Sequence, residues 1–151
     1  MITRRETELE RETITRLIKH ITFLEDELRD YENFKSLSQN EYNKERDKRR
    51  NVERWIENII NFSIDIAKII LASEKILLPD TYRESIAILS LVPNFDKETI
   101  EYLTEWVRLR NIISHEYLDV RWNSINRFIH EAVPIYIAFL EMTKKYISKD
   151  L

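Results

Sequence analysis

The residues best suited to chemistry lie together in the stretch Val107-Arg108-Leu109-Arg110-Asn111-Ile112-Ile113-Ser114-His115-Glu116-Tyr117. An imidazole titrates near neutral pH and moves protons in both directions, while a guanidinium keeps its charge and grips phosphate through parallel N–H groups. On one to two helical turns they suit phosphoryl chemistry on a nucleic acid. His115 is one of only three histidines in the chain. Helix geometry fixes which of these side chains can meet. Asn111 and His115 are four apart and share a face, and Arg110 and Ser114 share the adjacent one. Arg110 and His115 are five apart, roughly 140° around an ideal helix. They converge only through the reach of the arginine, through a helix that ends near His115, or with help from a second subunit. Tyr117 follows at the same end and could set its hydroxyl beside the imidazole. The spacing Arg-x4-His is by itself a loose signal, because arginines and histidines at helix ends also cap carbonyls and complement the dipole.

Other chemistries find little support. There is no glycine-rich phosphate loop, no His-Glu-x-x-His pair and no nucleophile elbow. Acidic residues are spread along the chain without a carboxylate–histidine cluster, so neither a metal nor an organic cofactor is expected. His20 and His130 have no arginine at the five-residue spacing and read as surface or half-buried helix residues. Trp55, Trp106 and Trp122 fall on apolar faces or at a helix end and read as packing residues.

Net charge is −3, so the molecule as a whole is not a basic nucleic-acid binder, and RNA affinity would have to come from local patches. One candidate is the run holding Lys44, Arg46, Lys48, Arg49, Arg50 and Arg54, interleaved with Glu45, Asp47 and Glu53. A solvated helix face laced with i,i+4 pairs explains such a run by default, and an RNA-facing stripe is the sharper alternative. Cysteine is absent, which excludes disulfides and thiolate metal sites and agrees with a reducing cytoplasm. The charged opening Met1-Ile2-Thr3-Arg4-Arg5-Glu6 is unlike a signal peptide, and no apolar run approaches the roughly 20 residues of a membrane span.

The elements that must position these residues are helical. The chain has 151 residues, 43% apolar, and no glycine at all; glycine supplies the positive φ of hairpin turns, so an all-α fold is expected. A first helix is predicted over about 6–34, with Thr3 and Glu6 at capping-box spacing and a heptad seam of Ile14, Leu17, Ile21, Leu24, Leu28 and Tyr31. Ser38-Gln39-Asn40-Glu41 repeats the capping signature and should open a second helix running to about Ile76. Pro79 breaks the pattern, and Thr81 with Glu84 caps a short third helix that ends before Pro93. Asp96 is the expected N-cap of a fourth, which carries the Arg110–His115 stretch near its end. A turn near 119–123 should precede a last helix over about 124–147, kinked at Pro134. The expectation is one domain over 1–151, an antiparallel bundle of four long helices and one short one.

The segment Arg110-Asn111-Ile112-Ile113-Ser114-His115-Glu116-Tyr117 closely resembles the Arg-x4-His-x-Tyr motif of HepT proteins, members of the HEPN superfamily and the toxin half of HepT–MntA toxin–antitoxin pairs. Val52-Glu53-Arg54-Trp55-Ile56 and Ile64-Asp65-Ile66-Ala67 resemble the family's second helix, and Pro79-Asp80-Thr81-Tyr82-Arg83-Glu84 resembles its tyrosine-bearing turn. The resemblance covers about residues 41–147. It implies a metal-independent ribonuclease in which Arg110 and His115 are the catalytic pair and Asn111 supports them. It also implies that Tyr117 is modified with AMP by an MntA-like nucleotidyltransferase antitoxin, and that two motifs meet across the cleft of a homodimer. Elementary chemistry agrees: cleavage through the RNA's own 2′-OH needs a base, an acid and a cation, and a dimer supplies two histidines from a motif that has one. Two rival readings use the same residues: a non-catalytic HEPN dimer that binds a nucleotide or partner, and a plain helical dimerisation domain.

Overall fold

A computed structural model describes residues 9–148, and those residues form helices and short connections with no strand among them. In chain order they are α1 (Arg11–Arg29), α2 (Tyr31–Phe34), α3 (Gln39–Lys44), α4 (Arg46–Ser73), α5 (Tyr82–Ala87), a 3-10 turn (Ile88–Leu91), α6 (Lys97–Val107), α7 (Leu109–His115) and α8 (Leu118–Ser148). The fold is the expected all-α antiparallel bundle. Its four long rods are α1, α4, the nearly continuous α6–α7 and α8. No described helix is long and apolar enough to cross a membrane.

The seam on α1 is satisfied within the chain. Leu17, Ile21, Leu24 and Leu28 are buried, and Ile14 and Tyr31 pack at the margin of the same core. Its main neighbour is α4, whose Val52, Ile56, Ile59, Ile60, Ile66 and Ile70 are all buried. Trp55 Nε1 donates to the Glu27 carbonyl at 2.5 Å and Asn58 Nδ2 donates to the Glu27 carboxylate at 3.0 Å. These bonds lock the register of α1 on α4. The Thr3–Glu6 capping pair lies outside the described residues; α1 itself starts after Glu10 without a side-chain cap.

The first helix, expected to run unbroken to about residue 34, is divided at Asp30, and three further helix boundaries differ from the sequence expectation. The second helix is divided at Glu45, whose backbone is extended. The reason is local: Arg49 Nη1 donates to the Tyr42 and Asn43 carbonyls at 3.1 and 3.0 Å, replacing the helical bonds that the break removes. The capping box of Ser38 with Glu41 is formed as read. The same helix ends at Ser73 rather than Ile76, because Lys75 enters the left-handed region at φ 58°. Lys75 N–H bonds the Ala72 carbonyl and Ile76 N–H the Leu71 carbonyl, the pairing of a helix stop that usually employs glycine.

The third difference bears on the site. The last helix begins at Leu118, so 119–123 is helix and the turn is the two-residue link Glu116–Tyr117. Asp119 suits the positive end of the helix dipole, and Trp122 is drawn into the core against Tyr42, ring centroids 5.4 Å apart. Helix α8 continues unbroken through Pro134, which is exposed.

Candidate functional site

The motif occupies α7 and the link that follows it. Asp96 opens α6 as expected, accepting the Thr99 N–H at 2.8 Å, and the rod tightens at Arg108 before α7 begins. Arg110 stands in the first turn of α7 and His115 is its last residue; Glu116 then turns extended at φ −96°, ψ 160°. The regular helix between them preserves the wide angle read from the spacing, so the two side chains take different environments.

Arg110 is half-buried and faces a shallow cleft of about 360 Å³ that it shares with Asn111, Val107 and the 80–83 turn. Its guanidinium lies 5.1 Å from the Tyr82 ring centroid, and Lys68 Nζ of α4 lies 4.4 Å from the same centroid. Thr81 caps α5 by accepting the Glu84 N–H at 3.1 Å, and its carbonyl accepts Ser85 Oγ at 3.0 Å. These bonds fix Tyr82 at the head of that helix. Arg83 and Arg108 both pair with Glu105, at 2.8 and 3.4 Å. Among the described residues, neither Arg110 nor Lys68 has a carboxylate within ion-pair distance.

The His115 side chain is exposed and, among the described residues, makes no hydrogen bond or ion pair. Tyr117 is 88% exposed. The chain therefore brings Arg110 and Asn111 together in the cleft and leaves His115 and Tyr117 exposed to solvent at the helix end.

The end of α7 is held by residues outside the motif. Arg121 Nη1 donates to the Ile113 carbonyl at 3.3 Å and to Glu53 Oε2 at 3.1 Å, and the Tyr42 hydroxyl donates to that same carboxylate oxygen. Burial, reinforced by the adjacent Glu53 carboxylate, pushes the Tyr42 phenol far above its ordinary range. Glu53 thus serves the interior rather than the i,i+4 ladder expected of the α4 charge run. Lys48 does pair with Glu41 and Glu45. Sequence reasoning missed Tyr42, Lys68, Tyr82 and Arg121 as site-shaping residues. The available signals were an acid directly after Val52 on the apolar face of α4, and the tyrosine within the resembling 79–84 turn.

Residues 24–143 match the family model described as HepT-like, ribonuclease HepT-like. No curated protein matches the chain in sequence. Among solved structures, the chain is similar to one described as a toxin–antitoxin with AMP-PNP, at TM-score 0.71 and 17% identity, covering 89% of this chain and 98% of the other. It is also similar to a tri-AMPylated Shewanella oneidensis HEPN toxin in complex with MNT antitoxin, at TM-score 0.71 and 18% identity, covering 90% and 99%. At such identities the structures establish the shared fold, and the match over 120 residues establishes the lineage: the chain belongs to the HepT-like ribonuclease family.

Proposed function

We propose that this protein is a cytoplasmic RNA endonuclease, the toxin of a toxin–antitoxin pair, acting as a homodimer without a metal ion. The observation that carries the reading is one seven-residue helix in a HepT-like chain that holds Arg110 on Tyr82 without a carboxylate partner near its start and an exposed His115 at its end. In the reaction, the 2′-oxygen of the RNA attacks the adjoining phosphorus as the bond to the 5′-oxygen breaks, leaving a 2′,3′-cyclic phosphate and a free 5′-hydroxyl. His115 of one copy takes the 2′-proton, His115 of the second copy gives a proton to the departing 5′-oxygen, and Arg110 stabilises the phosphorane charge. Asn111, in the same cleft as Arg110, supports the phosphate.

The need for a second copy follows from the geometry. One chain offers one suitable imidazole and sends it away from its own arginine. A groove of about 870 Å³ runs beside α7, lined by Trp106, Leu109, Ile112 and Ile135 together with the charged Glu105, Arg108, Arg127 and Glu131, and gives a mixed apolar and charged surface on the rod that carries the motif. The α1 seam, by contrast, is already covered and contributes nothing to dimerisation.

The partner in this reading is a nucleotidyltransferase that transfers AMP to Tyr117, the acceptor most open to solvent at the motif's end. The similar solved structures, a toxin–antitoxin with AMP-PNP and an AMPylated toxin with its antitoxin, favour this over a passive binding module. Incubation of the purified protein with RNA in a chelator tests the reading: cleavage should persist, give cyclic-phosphate ends, and vanish in His115→Ala. Intact RNA with the parent protein would overturn it.

A further inference from the structure

Lys68 is absent from the motif and sits on a different helix, yet it ends at the same aromatic ring as Arg110. Each cation is attracted to the negative face of the Tyr82 ring, and the two distances to the centroid keep the charges within about a Debye length of each other at physiological salt. Their mutual repulsion is therefore only partly screened. Among the described residues, no carboxylate pairs directly with either charge. Glu105 holds Arg83 and Arg108, and Asp80, which lines the cleft, is not within ion-pair distance of either charge. Lys68 is half-buried, and its neighbours one turn away on α4, Ile64 and Leu71, are buried. A lysine in such surroundings covers apolar surface with its stem and keeps its charged head toward water.

Arg110, Asn111 and Tyr82 line the open cleft, and Lys68 of α4 brings a second cation to the same ring, a combination suited to an anion. We infer that Lys68 is a second RNA-binding cation, which with Arg110 clamps a backbone phosphate while Tyr82 sets their spacing. This rests on the nuclease reading and names a residue that reading does not require. With two cations on its ring, Tyr82 serves as their anchor rather than as a platform for a stacked base. The ring is what matters, and the hydroxyl is dispensable. Because Lys68 neutralises a phosphate that is charged in both ground and transition states, it strengthens binding without accelerating the bond-breaking step.

The test measures binding of a fluorescent single-stranded RNA oligonucleotide to the full chain carrying His115→Ala, which keeps the RNA intact, over a range of salt. Adding Lys68→Gln should weaken binding about five- to tenfold at physiological salt and lower the slope of log affinity against log salt by about 0.7, one phosphate contact on a single strand. Lys68→Arg should restore both. Tyr82→Leu should weaken binding as Lys68→Gln does, and Tyr82→Phe should not. In otherwise native protein, Lys68→Gln should raise KM with kcat little changed. If RNA binds but Lys68→Gln leaves affinity and salt slope unaltered, the clamp is refuted and the nuclease reading stands. A protein that binds no RNA even before Lys68 is changed refutes both.

Discussion

Arg121 and Glu53 form an ion pair of 3.1 Å that ties the first turn of α8 to the middle of the bundle, with side chains 21% and 15% exposed. Arg121 also holds the Ile113 carbonyl, so the pair fastens the end of the helix that presents His115. Removing either partner leaves the other charge poorly solvated. Buried pairs cost about 3–5 kcal/mol when one side is lost, and partial exposure reduces this to about 2 kcal/mol here. Arg121→Ala and Glu53→Ala should each lower Tm by about 4–8 °C. Amide exchange at 114–118 should also accelerate more than elsewhere. Exchange that rises uniformly would mean that the pair supports the bundle without specifically holding the site.

Lys75 carries the one described positive φ, in a chain that has no glycine. A side chain in the left-handed region costs about 1 kcal/mol, part of which glycine gives back through its larger unfolded-state entropy. Lys75→Gly should therefore stabilise the protein by about 0.5 kcal/mol, a Tm increase of about 1–2 °C. A decrease on thermal unfolding would show that the lysine makes compensating contacts.

How far the sequence reached can be seen at these same positions. Periodicity identified the four rods, since a buried stripe leaves a 3.6-residue trace, and Ser38, Thr81 and Asp96 cap as their spacing indicates. The break at Glu45 left no trace, because it depends on Arg49 reaching back to two carbonyls. Asp119 and Asn123 gave 119–123 the look of a turn, and the long-range contacts of Arg121 and Trp122 that hold it as helix leave no local trace. The motif residues were readable because they are contiguous. Lys68 and Tyr82 were not, because helices distant in sequence bring them to Arg110.

His20 gives the stability a pH dependence. Burial holds its imidazole below the ordinary 6.5; Asp65 pulls the other way, and Arg16 and Lys19 add to the lowering. Phe23 and Phe62 are its ring neighbours, with centroids 6.0 and 6.5 Å away. A lowered folded-state pKa favours the neutral form, so its contribution is complete above about pH 6.5 and is lost as pH falls through the folded value. Tm should decline on acidification from pH 7 to 5, and His20→Gln should flatten that part of the curve. An unchanged profile would assign the decline to other groups.

Tyr117 should control the activity, and the reason is its position as much as its exposure. It stands two residues beyond His115 in the link between α7 and α8, with its carbonyl accepting the Arg121 N–H at 3.0 Å and its side chain 88% exposed. The backbone is thus fixed while the phenol remains accessible to a transferase. An AMP attached to that hydroxyl would place a phosphodiester anion and a bulky base next to the imidazole. That anion would compete with the RNA phosphate for cationic groups at the cleft, and the base would obstruct His115, so one modification could silence the site. Coexpression with a cognate nucleotidyltransferase should add AMP units to the peptide containing Tyr117, seen as steps in mass, with loss of RNA cleavage. Tyr117→Phe should cleave RNA at close to the parent rate and escape neutralisation, because the phenyl ring preserves the link while lacking the acceptor oxygen. A fully neutralised complex with Tyr117 unmodified would instead establish inhibition by binding, with the tyrosine reduced to a surface residue of the turn.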